Sequence, residues 1–170
     1  MYVNRSASLN DVGVSSDPVE SASDPVESDG LRTPDGAAAW TDLPPLSSAV
    51  PSDWVTIEDD FVLVIAVYLS HIAQNVIAAA SSCLNDGVIH LAMVRAPISR
   101  IRLVKLYIAM QDGTASDDPR YEIIHVSAFR LEPLGPQQGA LAVDGEAVDY
   151  GPIQGQVLPS MARVMSLAKD

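Results

Sequence analysis

Between Phe61 and Leu84 the chain carries no Asp, Glu, Lys or Arg. Such a run has to be covered by a fold or by a bilayer, since ~20 apolar residues are enough to span hydrocarbon. Ser70, His71, Gln74, Asn75, Ser81 and Ser82 interrupt it with groups that lipid would leave unsatisfied, and no basic cluster flanks either end. The run therefore reads as the interior of a folded domain, with a membrane span as the alternative. Its front part, Phe61 to Val67, is continuous and β-branched, the pattern of a strand buried on both faces.

The residues before the run have a different character. Met1 to about Ser52 is rich in Ser, Pro, Asp and Ala and has few large apolar groups to offset the entropy of ordering, so residues 1–52 are expected to be a disordered linker. Within it Ser16-Asp17-Pro18-Val19-Glu20-Ser21-Ala22 recurs as Ser23-Asp24-Pro25-Val26-Glu27-Ser28, and the prolines exclude a coiled coil. Phosphorylation of those serines would add further charge. Of the 22 acidic residues 12 lie at or before Asp60, against Arg5 and Arg32, which leaves 10 acidic and 8 basic residues afterwards. Residues 1–60 thus carry -10 of the net charge of -12, and the part after Asp60 is close to neutral.

Residues 53–170 read as one domain. Asn85-Asp86-Gly87 is a turn signal before a second strand, Val88 to Arg95, with Ile89, Leu91 and Met93 on one face. Pro97 and Ser99 open a helix over Arg100 to Gln111, which Gly113 stops. Leu103, Leu106, Tyr107 and Met110 form one apolar stripe, and Ile101, Val104 and Ile108 form a second. A helix apolar on two sides is expected to be covered on both. Tyr121 to Glu132 alternates, with Glu122, Arg130 and Glu132 on the exposed parity, and Ala140–Val143 and Gln154–Leu158 supply shorter strands. The fold class is mostly β (α+β): an antiparallel, sandwich-like domain with one embedded helix.

Several functions are disfavoured by composition. No basic stripe interleaved with aromatics is present to neutralise phosphates, so nucleic acid is not an expected partner. Cys83 is the sole cysteine, which excludes an internal disulfide, and His71, His90 and His125 match no zinc spacing. The N-terminus lacks the basic-then-apolar order of a signal peptide, so a cytoplasmic location is the default expectation. Asp144-Gly145-Glu146 sets two carboxylates around a glycine at a strand end. It reads either as an ordinary Asp-Gly hairpin turn or as a pair of acceptors for hydroxyls, an amine or a metal.

The ordered series Asp60-Phe61-Val62-Leu63-Val64, Asp86-Gly87-Val88-Ile89-His90-Leu91, Val94-Arg95, Ile98-Ser99-Arg100, Ala109-Met110, Ala128-Phe129-Arg130-Leu131-Glu132-Pro133, Val143-Asp144-Gly145-Glu146 and Gln154-Gly155-Gln156-Val157 resembles the sphingosine kinases, within the wider group of diacylglycerol kinase-like lipid kinases. The likeness covers about Trp54 to the C-terminus. It implies the C-terminal, lipid-binding part of an enzyme that moves the γ-phosphate of ATP to the primary hydroxyl of a sphingoid base. The family's glycine-rich catalytic aspartate loop has no counterpart in these residues. Ser28-Asp29-Gly30-Leu31 is the nearest string, and it lacks the preceding apolar strand and following helix that cradle phosphate.

By that resemblance Val76, Ala78, Ala92, Leu103, Leu106, Tyr107, Met110 and Tyr121 line the acyl pocket, where Met110 offers an adaptable wall. Filling an ordinary core is the competing reading of the same residues. Small residues at Val76 and Ala92, and Ala79-Ala80 in place of the family's Ala-Pro, alter the expected pocket. Glu146 first, then Asp144 with Gly145 between them, fall at the nucleotide side of the cleft, to accept ribose hydroxyls or outer-shell waters of Mg²⁺. Arg95 and Arg100 read as phosphate contacts or as surface ion pairs. ATP and Mg²⁺ belong to the parent kinase, and the implied partners are a sphingoid base, an N-terminal kinase half and, transiently, a membrane surface. No catalytic or metal-ligating residue is assigned. The alternative is a non-catalytic module that binds lipid or a protein partner.

Overall fold

The computed structural model describes residues 1–5, 43–135, 139–159, 161–162 and 165. In chain order the strands and helix are β1 (Tyr2–Arg5), β2 (Val55–Thr56), β3 (Phe61–Val67), β4 (His71–Ala73), β5 (Val76–Ile77), β6 (Ile89–Arg95), α1 (Arg100–Gln111), β7 (Glu122–Leu131), β8 (Leu141–Val143), β9 (Glu146–Val148) and β10 (Ile153–Gln156), with a 3-10 turn at Ala115–Asp117. The architecture is mostly β, with an antiparallel sheet and one helix, as the sequence pattern implies.

One sheet runs β2-β1-β7-β6-β3, and β10 also pairs with β7. β6 pairs with residues 122–126 of β7, β10 with residues 128–131, and β1 with residues 126–130. Because β1 shares partners with both, it occupies one edge of β7 while β6 and β10 divide the other. The register of β1 on β7 slips between Asn4 and Arg5, opposite Ser127. This one-residue slip changes which face each later β7 side chain takes.

The sheet separates two clusters. Ile89, Leu91 and Met93 pack on one face with Met1, Val3, Val126 and Phe129. Ala92 and Val94 pack on the other with Val76, Leu106, Met110 and Tyr121. In β3 the register slips between Phe61 and Leu63, so these residues enter opposite clusters although they are two apart. The expectation that Phe61–Val67 is buried on both faces is corrected here. β3 ends the sheet order, and Val62 and Ala66 stay exposed.

α1 has the bounds its sequence signals imply. The Ser99 hydroxyl accepts from the Arg102 amide at 3.3 Å, and Gly113 takes φ +71° just beyond the C-terminus, a conformation suited to glycine. A Cβ on Gly113 would also lie 3.1 Å from Ile77 Cδ1. Leu106 and Met110 are buried, but Ile101, Val104, Tyr107 and Ile108 remain exposed. Among the described residues only one of the two expected apolar stripes is covered.

The boundary of the ordered part differs from the expectation of a disordered 1–52. Tyr2–Arg5 forms β1, with Val3 fully buried, because β7 offers it a complete ladder. Residues near Ser48 are also held, by the Arg130 guanidinium. The duplicated heptad, its serines and Ser28-Asp29-Gly30-Leu31 lie outside the described residues. No described helix is long and apolar enough to cross a membrane.

Candidate functional site

Six of the acyl-pocket candidates come from different elements into one buried cluster: Val76 from β5, Ala78 from the loop after it, Ala92 from β6, Leu106 and Met110 from α1, and Tyr121 just before β7. Leu63, Ile65, Val67 and Ile123 pack against this group from the sheet. Strand alternation explains the meeting, since Ala92 and Val94 of β6 share a face that looks toward the helix layer. Leu103 is half-buried, whereas Tyr107 is 53 % exposed and stands apart from the cluster. Val94 and Ala115 belong to the cluster but were not among the candidates. Val94 was recoverable from its parity with Ala92.

Tyr121 ties the cluster to the loop above it. Its phenol donates to the Ala78 carbonyl at 2.9 Å, and burial pushes its ionisation up to about 12. The hydroxyl is therefore a neutral donor at physiological pH.

A polar group lies on the same face of β6. His90, 2 % exposed, is hydrogen-bonded through Nε2 to Asp86 Oδ2 at 2.8 Å, and the Asp86 carboxylate also accepts from the Cys83 and Val88 amides. Burial opposes the charge on Asp86, but hydrogen bonds from His90, Cys83 and Val88 outweigh it and hold the carboxyl below its usual range. The Asp86-Gly87-Val88 motif thus closes a local turn. His125 meets His90 edge-on, with ring centroids 4.6 Å apart. Burial, then the neighbouring His90, lowers the His125 pKa.

The carboxylate pair is built differently. β8 and β9 form their own two-stranded sheet, closed between Val143 and Glu146 by Asp144 and Gly145 at φ 50° and 86°. Two successive positive φ angles are the signature of a two-residue hairpin turn, which only Gly, Asn and Asp enter readily. Residues 142–150 are exposed throughout, and the apolar cluster includes none of them. Among the described residues no group of three or more His, Cys, Asp or Glu side chains forms, and the tip offers the carboxylates of Asp144 and Glu146. Its carboxylates are free to accept hydroxyl groups.

The arginines have separate fates. Arg95 donates twice to Glu122, at 2.9 and 3.1 Å, and to Asp59, with Phe61 beneath it. Those hydrogen bonds, Glu122 first, raise its pKa further and depress that of Asp59. Arg100 enters no ion pair among the described residues. Arg130 is the larger departure, because alternation placed it on the exposed parity and it is 1 % exposed. Its guanidinium donates to Gln154 Oε1 and to the carbonyls of Pro44, Pro45 and Ser48, at 2.8 to 3.2 Å.

The chain is 44 % identical over 126 residues to human sphingosine kinase 2, 40 % over 135 residues to rat sphingosine kinase 1, and 42 % over 121 residues to human sphingosine kinase 1. The matched region belongs to the sphingosine kinase family. It takes in 73 %, 78 % and 69 % of this chain but only 19 %, 35 % and 31 % of the respective relatives. No protein-family model matches the chain.

Proposed function

We propose that this chain is the lipid-pocket portion of a sphingosine kinase, the C-terminal domain spanning residues 53–170 together with β1. The observation that carries the reading is the convergence of Val76, Ala78, Ala92, Leu106, Met110 and Tyr121 on one apolar cluster from separate elements. An aliphatic tail needs a long apolar slot, whose wall these side chains supply, and Met110 lets that wall adapt. Leu103 and Tyr107 extend the slot outward along α1.

The parent enzyme transfers the ATP γ-phosphate to the primary hydroxyl of a sphingoid base. Glu146, with Asp144 second, accepts hydroxyls of the nucleotide from the exposed hairpin, and ATP and Mg²⁺ are held chiefly by the N-terminal kinase half. These 170 residues contain no glycine-rich aspartate loop, so the chain alone binds lipid without turnover. A sphingoid base is an amphiphile delivered from membranes, which makes a cytoplasmic lipid surface a transient partner.

The test is a titration of the purified chain with sphingosine, with and without ATP. Saturable binding that ATP does not alter, weakened by Ala92→Phe and unchanged by Glu146→Ala, is expected. Phosphorylation of sphingosine by the chain at ordinary kinase rates would overturn the assignment of chemistry, and absence of saturable binding would overturn the pocket.

A further inference from the structure

We infer that His90 closes the far end of the apolar slot and accepts a hydroxyl carried at the end of the lipid tail, so that the slot takes a tail-hydroxylated sphingoid base. The inference deepens the lipid-pocket reading above and rests on it. On β6, His90 shares the face of Ala92 and Val94, two residues or about 7 Å along the strand from Ala92. Val67 stands opposite it on β3 and packs against the same cluster, while His125 stands opposite it on β7 and meets its ring edge-on. The turn that Asp86 closes seals this end of β6, and His90 is 2 % exposed.

The two ring nitrogens are unequally served. Nε2 is bonded to the Asp86 carboxylate at 2.8 Å, so that nitrogen carries the hydrogen and Nδ1 of the neutral ring is left an acceptor. Nδ1 is buried without a hydrogen-bond partner among the described residues. The other such atom is Ser82 Oγ, next to Cys83, whose amide donates to the same Asp86 carboxylate. Buried polar atoms in folded proteins are nearly always paired, and an acceptor held dry beside an apolar slot calls for a donor that arrives with the ligand. Chemistry narrows that donor. An ammonium would have to give up water for an apolar site, whereas a hydroxyl supplies one hydrogen at far smaller cost. The head group has to meet phosphate and stays at the mouth, so a hydroxyl that reaches so buried a residue sits at the far end of the tail.

Titration of the full chain with sphinganine and with ω-hydroxysphinganine tests the inference. The unmodified chain should bind the hydroxylated lipid at least as tightly as sphinganine. His90→Leu should leave sphinganine binding unchanged and weaken ω-hydroxysphinganine by about tenfold or more, because the hydroxyl is then buried without an acceptor. Circular dichroism checks that this variant folds. A measurement on the unmodified, ¹⁵N-labelled chain needs no variant: the His90 Nδ1 resonance should move with ω-hydroxysphinganine and stay in place with sphinganine. Weaker binding of the hydroxylated lipid by the unmodified chain, a folded His90→Leu that treats the two lipids alike, or an Nδ1 resonance that answers both or neither overturns the inference. Where sphinganine still binds saturably, these outcomes remove the tail hydroxyl alone. Failure of both lipids to bind removes the pocket and this inference with it.

Discussion

The Tyr121 phenol reaches the Ala78 carbonyl at 2.9 Å across 43 residues of sequence, joining the start of β7 to the loop after β5 over the apolar cluster. Tyr121→Phe keeps the ring and removes the donor, leaving a buried carbonyl unpaired at a cost of about 1–3 kcal/mol. Urea denaturation should show that loss. The ionisation also sets a pH dependence. With the folded value raised to about 12 above the ordinary 10, the unfolded chain gives up this proton first, so the contribution is complete below pH 10 and is lost as pH rises toward 12. Tyr121→Phe should flatten the alkaline decline in stability.

Arg130 fastens a segment 82 residues earlier in the chain through the Ser48 carbonyl, with Pro44, Pro45 and Gln154 as its other acceptors. Removing the guanidinium leaves several acceptors to be resolvated or buried unpaired. Arg130→Met should lower stability by about 3 kcal/mol or more. Arg130→Lys should recover only part of it, because one ammonium cannot reproduce the fork. Denaturation midpoints of the two variants, and faster proteolysis around residues 44–48 in both, are the measurements.

This clasp also shows where sequence reasoning stops. The α1 bounds were legible because Ser99, the helical period and Gly113 all act within a few residues. The inner face of β6 was legible through Ile89, Leu91 and Met93. Arg130 was misplaced because its burial depends on a slip opposite Ser127 and on carbonyls far earlier in the chain, neither of which leaves a local pattern. The same reason hid β1, whose ladder is completed by β7 at the other end of the sequence. Asp144-Gly145-Glu146 was legible as a turn. Six of the eight apolar candidates that the family resemblance implies meet in one cluster, while Leu103 is half-buried and Tyr107 exposed, which the packing of α1 alone determines.

The His90–His125 contact predicts an acid-side effect. Burial and His90 lower the His125 pKa, so below the ordinary value near 6.5 the unfolded chain binds the proton more readily than the folded one. This contribution is therefore present above about pH 6.5 and is lost as pH falls through the depressed folded value. The depressed Asp86 carboxyl adds a separate loss, below about pH 4. Stability measured across this range should decline in two stages, and His125→Gln should remove the first while leaving the second. A first stage that persists in His125→Gln would assign it to another group.

Glu146 offers the narrowest test of the nucleotide side. It opens β9 opposite Val143, held by a turn that requires φ 86° at Gly145, and its carboxylate stands in solvent. Glu146→Ala should therefore leave the fold and the apolar cluster unchanged. In an enzyme that joins this segment to a sphingosine kinase catalytic half, the loss of one charged acceptor should raise KM for ATP by about tenfold. Sphingosine binding should be unaffected, because the pocket candidates sit in a separate cluster. Gly145→Val should reproduce the defect in ATP use by distorting the turn that aims the carboxylate, with a small cost in stability besides. An enzyme in which Glu146→Ala weakens sphingosine binding and spares ATP would place the hairpin on the lipid side of the site instead.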